Sequence, residues 1–341
     1  MFAELKKWSH QNYSHLPWRV KRSLYNTLVS EVMLQQTTVS TVLNHFERFI
    51  SKYPDIQTLA KASEEEMLID WKGLGYYRRA RNLLNAAKEI ETKFQGEIPL
   101  DFKSLVSIKG IGEYTANAII SIGANKEAIA LDANLERVIA RIYGLETEKG
   151  PKLLKAIYHD FRAGKICQEI NKIGPRDYNE SLMDLGRSLC KARSTNCSLC
   201  PLKKNCVAFN ENKTHLIPKL VDKKNIISGI ELKLLRVIVE EEGKVLAYRK
   251  NQKEWLAGQL EIPTFVLDTE DLEFNQYPHL KIDDSIYHLP SFKTGITKYK
   301  ITNYVLHASK KELSEIADKE YGWVGVDNKN FSTSTYKAFN I

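Results

Sequence analysis

No stretch of the chain approaches the ~18 consecutive apolar residues that a membrane-spanning helix needs, which speaks against a membrane protein. The opening segment, Met1 to His10, has no long apolar core and no small-residue cleavage site, so no targeting segment is read there. Internal repeats and low-complexity tracts are also absent. With 43% apolar and 27% charged residues, the composition is that of a soluble globular chain rather than a disordered one. Cysteine is scarce. There are five in 341 residues, and none lies before Cys167 or after Cys206. An intracellular location is expected, where thiols stay reduced. Four closely spaced cysteines there point to a metal rather than to disulfides.

What is present is unevenly spread. Lys plus Arg is 50 against 42 acids, a net charge of +8. Residues 1–210 carry 31 basic and 23 acidic side chains, which accounts for all of the excess. Residues 211–341 carry 19 of each. An anionic partner is therefore expected to meet the first part of the chain.

The length suits two domains. Residues 1–210 read as helix after helix, roughly ten by ordinary helix lengths. Leu24, Leu28, Val32 and Leu43, and then Leu83, Leu84, Ala87 and Ile90, recur at helical spacing. The segment 207–228 is polar and lysine-rich and reads as a linker. Beyond it the texture changes. Leu232 to Val239 is apolar and β-branched, Glu242-Gly243 is a turn signal, and Val245 to Tyr248, Ile296 to Val305 and Tyr321 to Val326 read as strands. The expected organisation is a mainly α domain over 1–206, a linker over 207–228, and an α+β domain over 229–341 with an antiparallel or mixed sheet.

Cys190-x6-Cys197-x2-Cys200-x5-Cys206 is the most specific pattern. Zinc usually takes two pairs of the Cys-x-x-Cys type. Here only Cys197 and Cys200 form such a pair. A 4Fe–4S cluster, with four corners to ligate, suits the uneven outer spacings better. Zinc or unligated thiols are the alternatives. Lys191, Arg193, Lys203 and Lys204 surround the array. Stapled by a metal, that loop would present charge to phosphate; otherwise it is a solvated loop. Cys167 lies outside the array and is expected to be a small core residue.

A second pattern runs from Leu105 to Ala116, with Gly110 and Gly112 flanking Ile111 between two helical stretches. Glycine lets backbone N–H groups face outward. With the next helix N-terminus they can seat a phosphate without reading sequence; a plain tight turn uses the same residues. After it, Asp132 and Asn134 precede an apolar run. Either can be a helix N-cap, and a capping aspartate in a cleft can also serve as a carboxylate held ionised by the helix dipole.

Taken together these segments resemble the adenine DNA glycosylase family of the endonuclease III superfamily. The matching blocks are Pro17-Trp18-Arg19, Ser30 to Thr37, Gly73 to Leu83, the glycine hairpin, the Asp132 segment, Tyr178 to Gly186 and the four cysteines. The resemblance implies a helix-hairpin-helix glycosylase fold, a six-helix barrel plus an iron–sulfur module. It implies a monomer that binds double-stranded DNA, flips out adenine mispaired with 8-oxoguanine and cuts its N-glycosidic bond. Glu31 matches the general acid that protonates adenine N7. Asp132 matches the carboxylate beneath the sugar cation. Tyr114, Asn134 and Glu180 match positions that support the acid, the aspartate and the water. Bifunctional relatives carry lysine where Tyr114 stands. Its amine forms a Schiff base, which tyrosine cannot, so a monofunctional enzyme is expected. Leu34, Gln36 and Tyr76 match residues that wedge into the duplex, although Leu34 also suits core packing. Arg78, Arg79 and Arg81 suit either phosphate contact or a solvated helix face. The alternatives are another glycosylase of the superfamily, such as a mismatch thymine enzyme, or a non-catalytic iron–sulfur protein that binds DNA.

The second domain resembles the family's Nudix-like recognition domain. No Arg-Glu-x-x-Glu-Glu run follows Pro263, so nucleotide hydrolysis is not expected. The family's Phe-Ser-His loop, which inspects 8-oxoguanine, is also missing. The best register places Ile296-Thr297-Lys298 there. Thr297 could donate a hydrogen bond as serine would, but Lys298 cannot accept one.

Overall fold

The computed structural model describes residues 1–220, 229–281, 284–296, 298–317 and 320–341. The chain divides into two compact units. One comprises Met1–Ala62 with Asp70–Asp222, the other Ser63–Ile69 with Lys223–Ile341. No helix among the described residues is long and apolar enough to cross a membrane.

Residues 1–210 form fourteen α-helices. They are α1 (Phe2–Tyr13), α2 (Pro17–Val20), α3 (Leu24–Leu34), α4 (Val39–Lys52), α5 (Ile56–Ala60), α6 (Glu64–Asp70), α7 (Arg78–Phe94), α8 (Phe102–Ser107), α9 (Glu113–Ala118), α10 (Ala133–Tyr143), α11 (Pro151–Arg162), α12 (Lys165–Ile173), α13 (Pro175–Ser188) and α14 (Val207–Asn210). Helical spacing in the sequence suggests about ten. The surplus comes from pieces such as α2, α5 and α14, which at four or five residues are too short to show a helical period.

Three helices and one junction position the site. Helix α3 begins where the Ser23 hydroxyl accepts from the Asn26 N–H, 2.9 Å away, satisfying one orphan donor of the first turn. It is buried on almost every side from Tyr25 to Met33, so the glutamate inside it is buried too. Helix α10 is capped by the Asp132 side chain and stopped by Gly144 at φ 68°. Helix α13 starts with Pro175 after Gly174, the favoured place for proline. Gly186 lets α13 approach α10 closely, because a Cβ there would lie 2.8 Å from the Asn134 Cβ. The junction is the hairpin between α8 and α9. Gly110 has φ 103°, and a Cβ on it would lie 2.5 Å from the Asn82 carbonyl oxygen. Only glycine fits that turn. Helix α9 runs straight into a π-helical turn, Ile119–Gly123, an irregularity often found at functional sites.

Part of the segment read as a linker belongs to the first unit, which extends to Asp222. Ala208 and Ile217 are fully buried and pack in one core with Val138 and Ile142 of α10. Two apolar side chains within a polar, lysine-rich stretch are enough to fasten it to the helices. Such isolated positions leave no periodic trace in the sequence.

The second unit is α+β. Its strands are β1 (Ile230–Ile238), β2 (Glu240–Glu241), β3 (Lys244–Arg249), β4 (Leu260–Glu261), β5 (Thr264–Thr269), β6 (Ser291–Ile296), β7 (Tyr299–His307) and β8 (Gly322–Gly325). Helices α15 (Lys310–Ile316) and α16 (Thr333–Phe339) join its strands, and nearly all of α6 is grouped with it. One sheet has the order β5-β1-β7-β6, and β3 of the other pairs with β2, β4 and β8. The β1–β7 pair is parallel and the β1–β5 and β6–β7 pairs are antiparallel, so the first sheet is mixed. Arg236, Lys250 and Glu261 form a buried ion triad here, with Arg236 Nη1 2.7 Å from Glu261 Oε1. Although burial pushes the other way, the opposed charges of Arg236 and Lys250 hold the Glu261 carboxyl down at about 2.

Candidate active site

Glu31 is 5% exposed. Its Oε2 accepts a hydrogen bond from the Tyr114 hydroxyl of α9. Burial pushes the Glu31 carboxyl up to about 7; the Tyr114 bond opposes this, while the negative charges of Asp132 and Glu180 add to it. Burial, and then Glu31 and Asp132, push the Tyr114 phenol well above its ordinary value.

Asp132 has a different environment. Its Oδ1 accepts from the N–H groups of Asn134 and Leu135, at 2.9 and 2.7 Å. Its Oδ2 accepts from Asn134 Nδ2 at 2.8 Å. The capping role and the carboxylate role are thus compatible at one residue, since an ionised carboxylate is an acceptor only and can take all three bonds. Asn134 is itself held by Arg137, whose Nη2 donates to Asn134 Oδ1 at 2.9 Å and whose Nε donates to the Cys190 carbonyl at 2.9 Å.

Glu180 of α13 is the third carboxylate, also 5% exposed. Arg22 donates to both of its oxygens, at 2.7 and 2.9 Å. Arg19 spans Glu180 and Asp184, with Nε 3.4 Å from Glu180 Oε1 and Nη1 2.8 Å from Asp184 Oδ2.

The four cysteines line one small pocket, together with Arg141, Lys203 and Phe209. Arg141 Nη1 donates to the Cys190 sulfur at 3.3 Å. Among the described residues, no group of three His, Cys, Asp or Glu closes on a single-ion site. Four thiols around one pocket are the donor set that a four-cornered cluster would need. Burial, with the neighbouring cysteines, pushes the Cys200 thiol up to about 11; a bound cationic centre would relieve that. Cys167 is half-buried rather than a core residue; its thiol lies against Glu127.

The expected wedge residues lie on two neighbouring turns. Gln36 and Tyr76 both have left-handed backbone, φ 56° and 49°, and both are exposed. Such conformations are costly for non-glycine residues and cluster at functional sites. Leu34 is half-buried at the end of α3. Arg79 answers neither sequence expectation: it is 8% exposed. Its guanidinium donates to the carbonyls of Val32, Met33, Leu74 and Gly75 and to the Thr37 hydroxyl, at 2.8–3.1 Å. It therefore caps the end of α3 and ties the two turns together. Arg79→Met takes this donor from all four carbonyls, although Leu74 keeps Thr37 and Gly75 keeps Trp71, and is expected to lower stability by about 3 kcal/mol, the cost of buried groups left unsatisfied. Urea denaturation measures it; a loss below ~1 kcal/mol would contradict the clamp.

In the second unit, Lys298 Nζ is 2.8 Å from Asp271 Oδ2, which also accepts from the Tyr299 hydroxyl. Thr297 lies outside the described residues. Arg22 and Arg137 carry no signal in the sequence, and Arg79 carries a misleading one. An isolated arginine has no spacing pattern, and each of the three reaches a partner far along the chain: Arg79 to Met33, Arg137 to Cys190 and Arg22 to Glu180, 46, 53 and 158 residues away.

Residues 29–161 match the HhH-GPD superfamily base excision DNA repair protein family. The chain is 32% identical over 312 residues to the adenine DNA glycosylase of Buchnera aphidicola subsp. Schizaphis graminum, covering 90% of this chain and 86% of that one. It is 35% identical over 215 residues to the human adenine DNA glycosylase, covering 60% of this chain and 39% of that one. Among solved structures, a thermostable thymine-DNA glycosylase superposes with a TM-score of 0.51 at 26% identity, over 61% of this chain and 94% of that one. The chain belongs to the adenine DNA glycosylase family.

Proposed function

We propose that the protein is a monofunctional adenine DNA glycosylase of base excision repair. It flips adenine out of a mismatch with 8-oxoguanine or guanine and hydrolyses its N-glycosidic bond. The observation that carries this reading is the contrast between two carboxyls. Glu31 is buried and raised to about 7, while Asp132 accepts three N–H bonds. One can give a proton and the other can face a cation, the division used in glycoside hydrolysis.

Glu31 donates its proton to adenine N7, which makes the base a better leaving group. As the bond from C1′ breaks, its electron pair leaves with the base and positive charge develops on the sugar. Asp132 stabilises that charge. Glu180 orients the water that adds to C1′; as the new C–O bond forms, the water gives its proton to the Glu31 carboxylate, which restores the acid and leaves an abasic site. Tyr114 holds Glu31 and has no amine with which to form a Schiff base.

Cys190, Cys197, Cys200 and Cys206 would hold a 4Fe–4S cluster. When bound, it supplies a rigid staple for the basic loop. Gly110 and Gly112 present backbone to phosphate, and Gln36, Leu34 and Tyr76 fill the gap left by the flipped base. Flipping costs a few kcal/mol. With Lys298 engaged by Asp271, discrimination of the opposite base rests mainly on the first unit.

A duplex panel tests this. With A:8-oxoguanine, A:G, A:C and T:G substrates under single-turnover conditions, adenine alone should be released, with strand scission only after alkali. Release of thymine would favour the mismatch thymine reading, which the structural likeness keeps in view. Binding without release would reject catalysis.

A further inference from the structure

We propose that Arg22 is a positioning residue of the excision reaction, fixing the orientation of the Glu180 carboxylate within the site. The proposal rests on the reading of the site as a glycosylase centre. Arg22 lies in the short connection between α2 and α3, immediately before the Ser23 cap of the helix that carries Glu31. From there it reaches α13 and grips both oxygens of Glu180. A planar guanidinium on a carboxylate fixes direction as well as distance. The side chain of Glu180 is 6% exposed and that of Arg22 is 31% exposed, so the clamp sits at the margin of the site rather than in the core.

The other charged groups facing Glu180 do not duplicate this grip. Arg19 of α2 approaches Oε1 at 3.4 Å without a hydrogen bond from Nε and directs its Nη atoms to Asp184. Arg176, on the same helix as Glu180, donates to the carbonyls of Ile122 and Gly123. Glu31 of α3 is a like charge when ionised, and Asp184 is engaged by Arg19, Arg187 and Ser9. Without Arg22, the Glu180 carboxylate keeps only the ion pair with Arg19 and no bidentate partner to fix its direction. A water held by it would lose its aim at C1′.

Single-turnover adenine release and equilibrium DNA binding separate this role from a structural one. Arg22→Met should lower the rate at saturating enzyme roughly 10- to 100-fold, the effect of losing a charged hydrogen-bond pair, with the Kd for a duplex bearing a tetrahydrofuran abasic analogue unchanged within about twofold. Arg22→Lys, which can restore one of the two bonds, should recover part of the loss. In a Glu180→Gln background, Arg22→Met should add little, because the two act through one group. An undiminished rate in Arg22→Met, or full additivity with Glu180→Gln, would overturn the proposal. So would equal losses in Arg22→Met and Arg22→Lys. If the wild-type protein releases no adenine at all, the functional reading fails first, and that result is distinct from any of these.

Discussion

Glu31→Gln is expected to slow adenine release on the order of 10³-fold, within the range that positioned acid–base groups supply. Glutamine keeps the shape of the carboxyl and can still meet the Tyr114 hydroxyl. It cannot give up a proton to N7. Because the site already favours a neutral group there, the variant should fold and bind mismatched DNA normally. Its stability should change with pH differently from the wild type. In the folded protein Glu31 holds a proton up to about 7, against 4.5 for the ordinary carboxyl. Between those values the folded state binds the extra proton, so this group's contribution is present below about 4.5 and is lost as pH rises through about 7. Glutamine removes that decline, and melting temperatures across a range of roughly pH 5 to 8 measure it.

Asp132→Asn is expected to cost on the order of 10³-fold in rate, as for removal of a group aimed at transition-state charge. Asparagine caps helices about as well as aspartate, so α10 should remain formed. The loss is therefore chemical. The neutral side chain no longer faces the sugar cation with a charge. In addition, an amide nitrogen placed at the Oδ2 position would confront Asn134 Nδ2, donor against donor. Turning Asn134 to relieve this would break its bond from Arg137. Rate measured at saturating enzyme, alongside circular dichroism, separates the two effects; a loss below roughly tenfold with the fold intact would contradict the role.

Much of the site could be read in the sequence because its chemistry sits in short segments. The four cysteines declare themselves by spacing. Glu31 stands out as an acid in an apolar helix, and Asp132 as a cap before an apolar run. The arginines that organise these groups could not be read. Arg22, Arg79 and Arg137 each reach at least one partner far along the chain, which only the packing of α3, α7, α10 and α13 brings within range. Arg79 shows the limit most clearly. Beside Arg78 and Arg81 it looks like part of a basic surface, yet it is buried and bonded to four carbonyls. The short helices were illegible for a different reason: about four residues make barely one turn. In the second unit, β1, β3, β7 and β8 are legible as β-branched or alternating runs, whereas β2, β4, β5 and β6 are not, and the Asp271–Lys298 pair joins positions with no pattern between them.

The central claim is that Glu31, and not Asp132, carries the catalytic proton near neutral pH. The pH dependence of single-turnover adenine release tests it most directly. The rate should fall about tenfold per pH unit above about 7 as Glu31 ionises, and this limb should vanish in Glu31→Gln. A rate that stays level from about pH 7 to roughly 9, or a limb that persists in Glu31→Gln, would contradict the account.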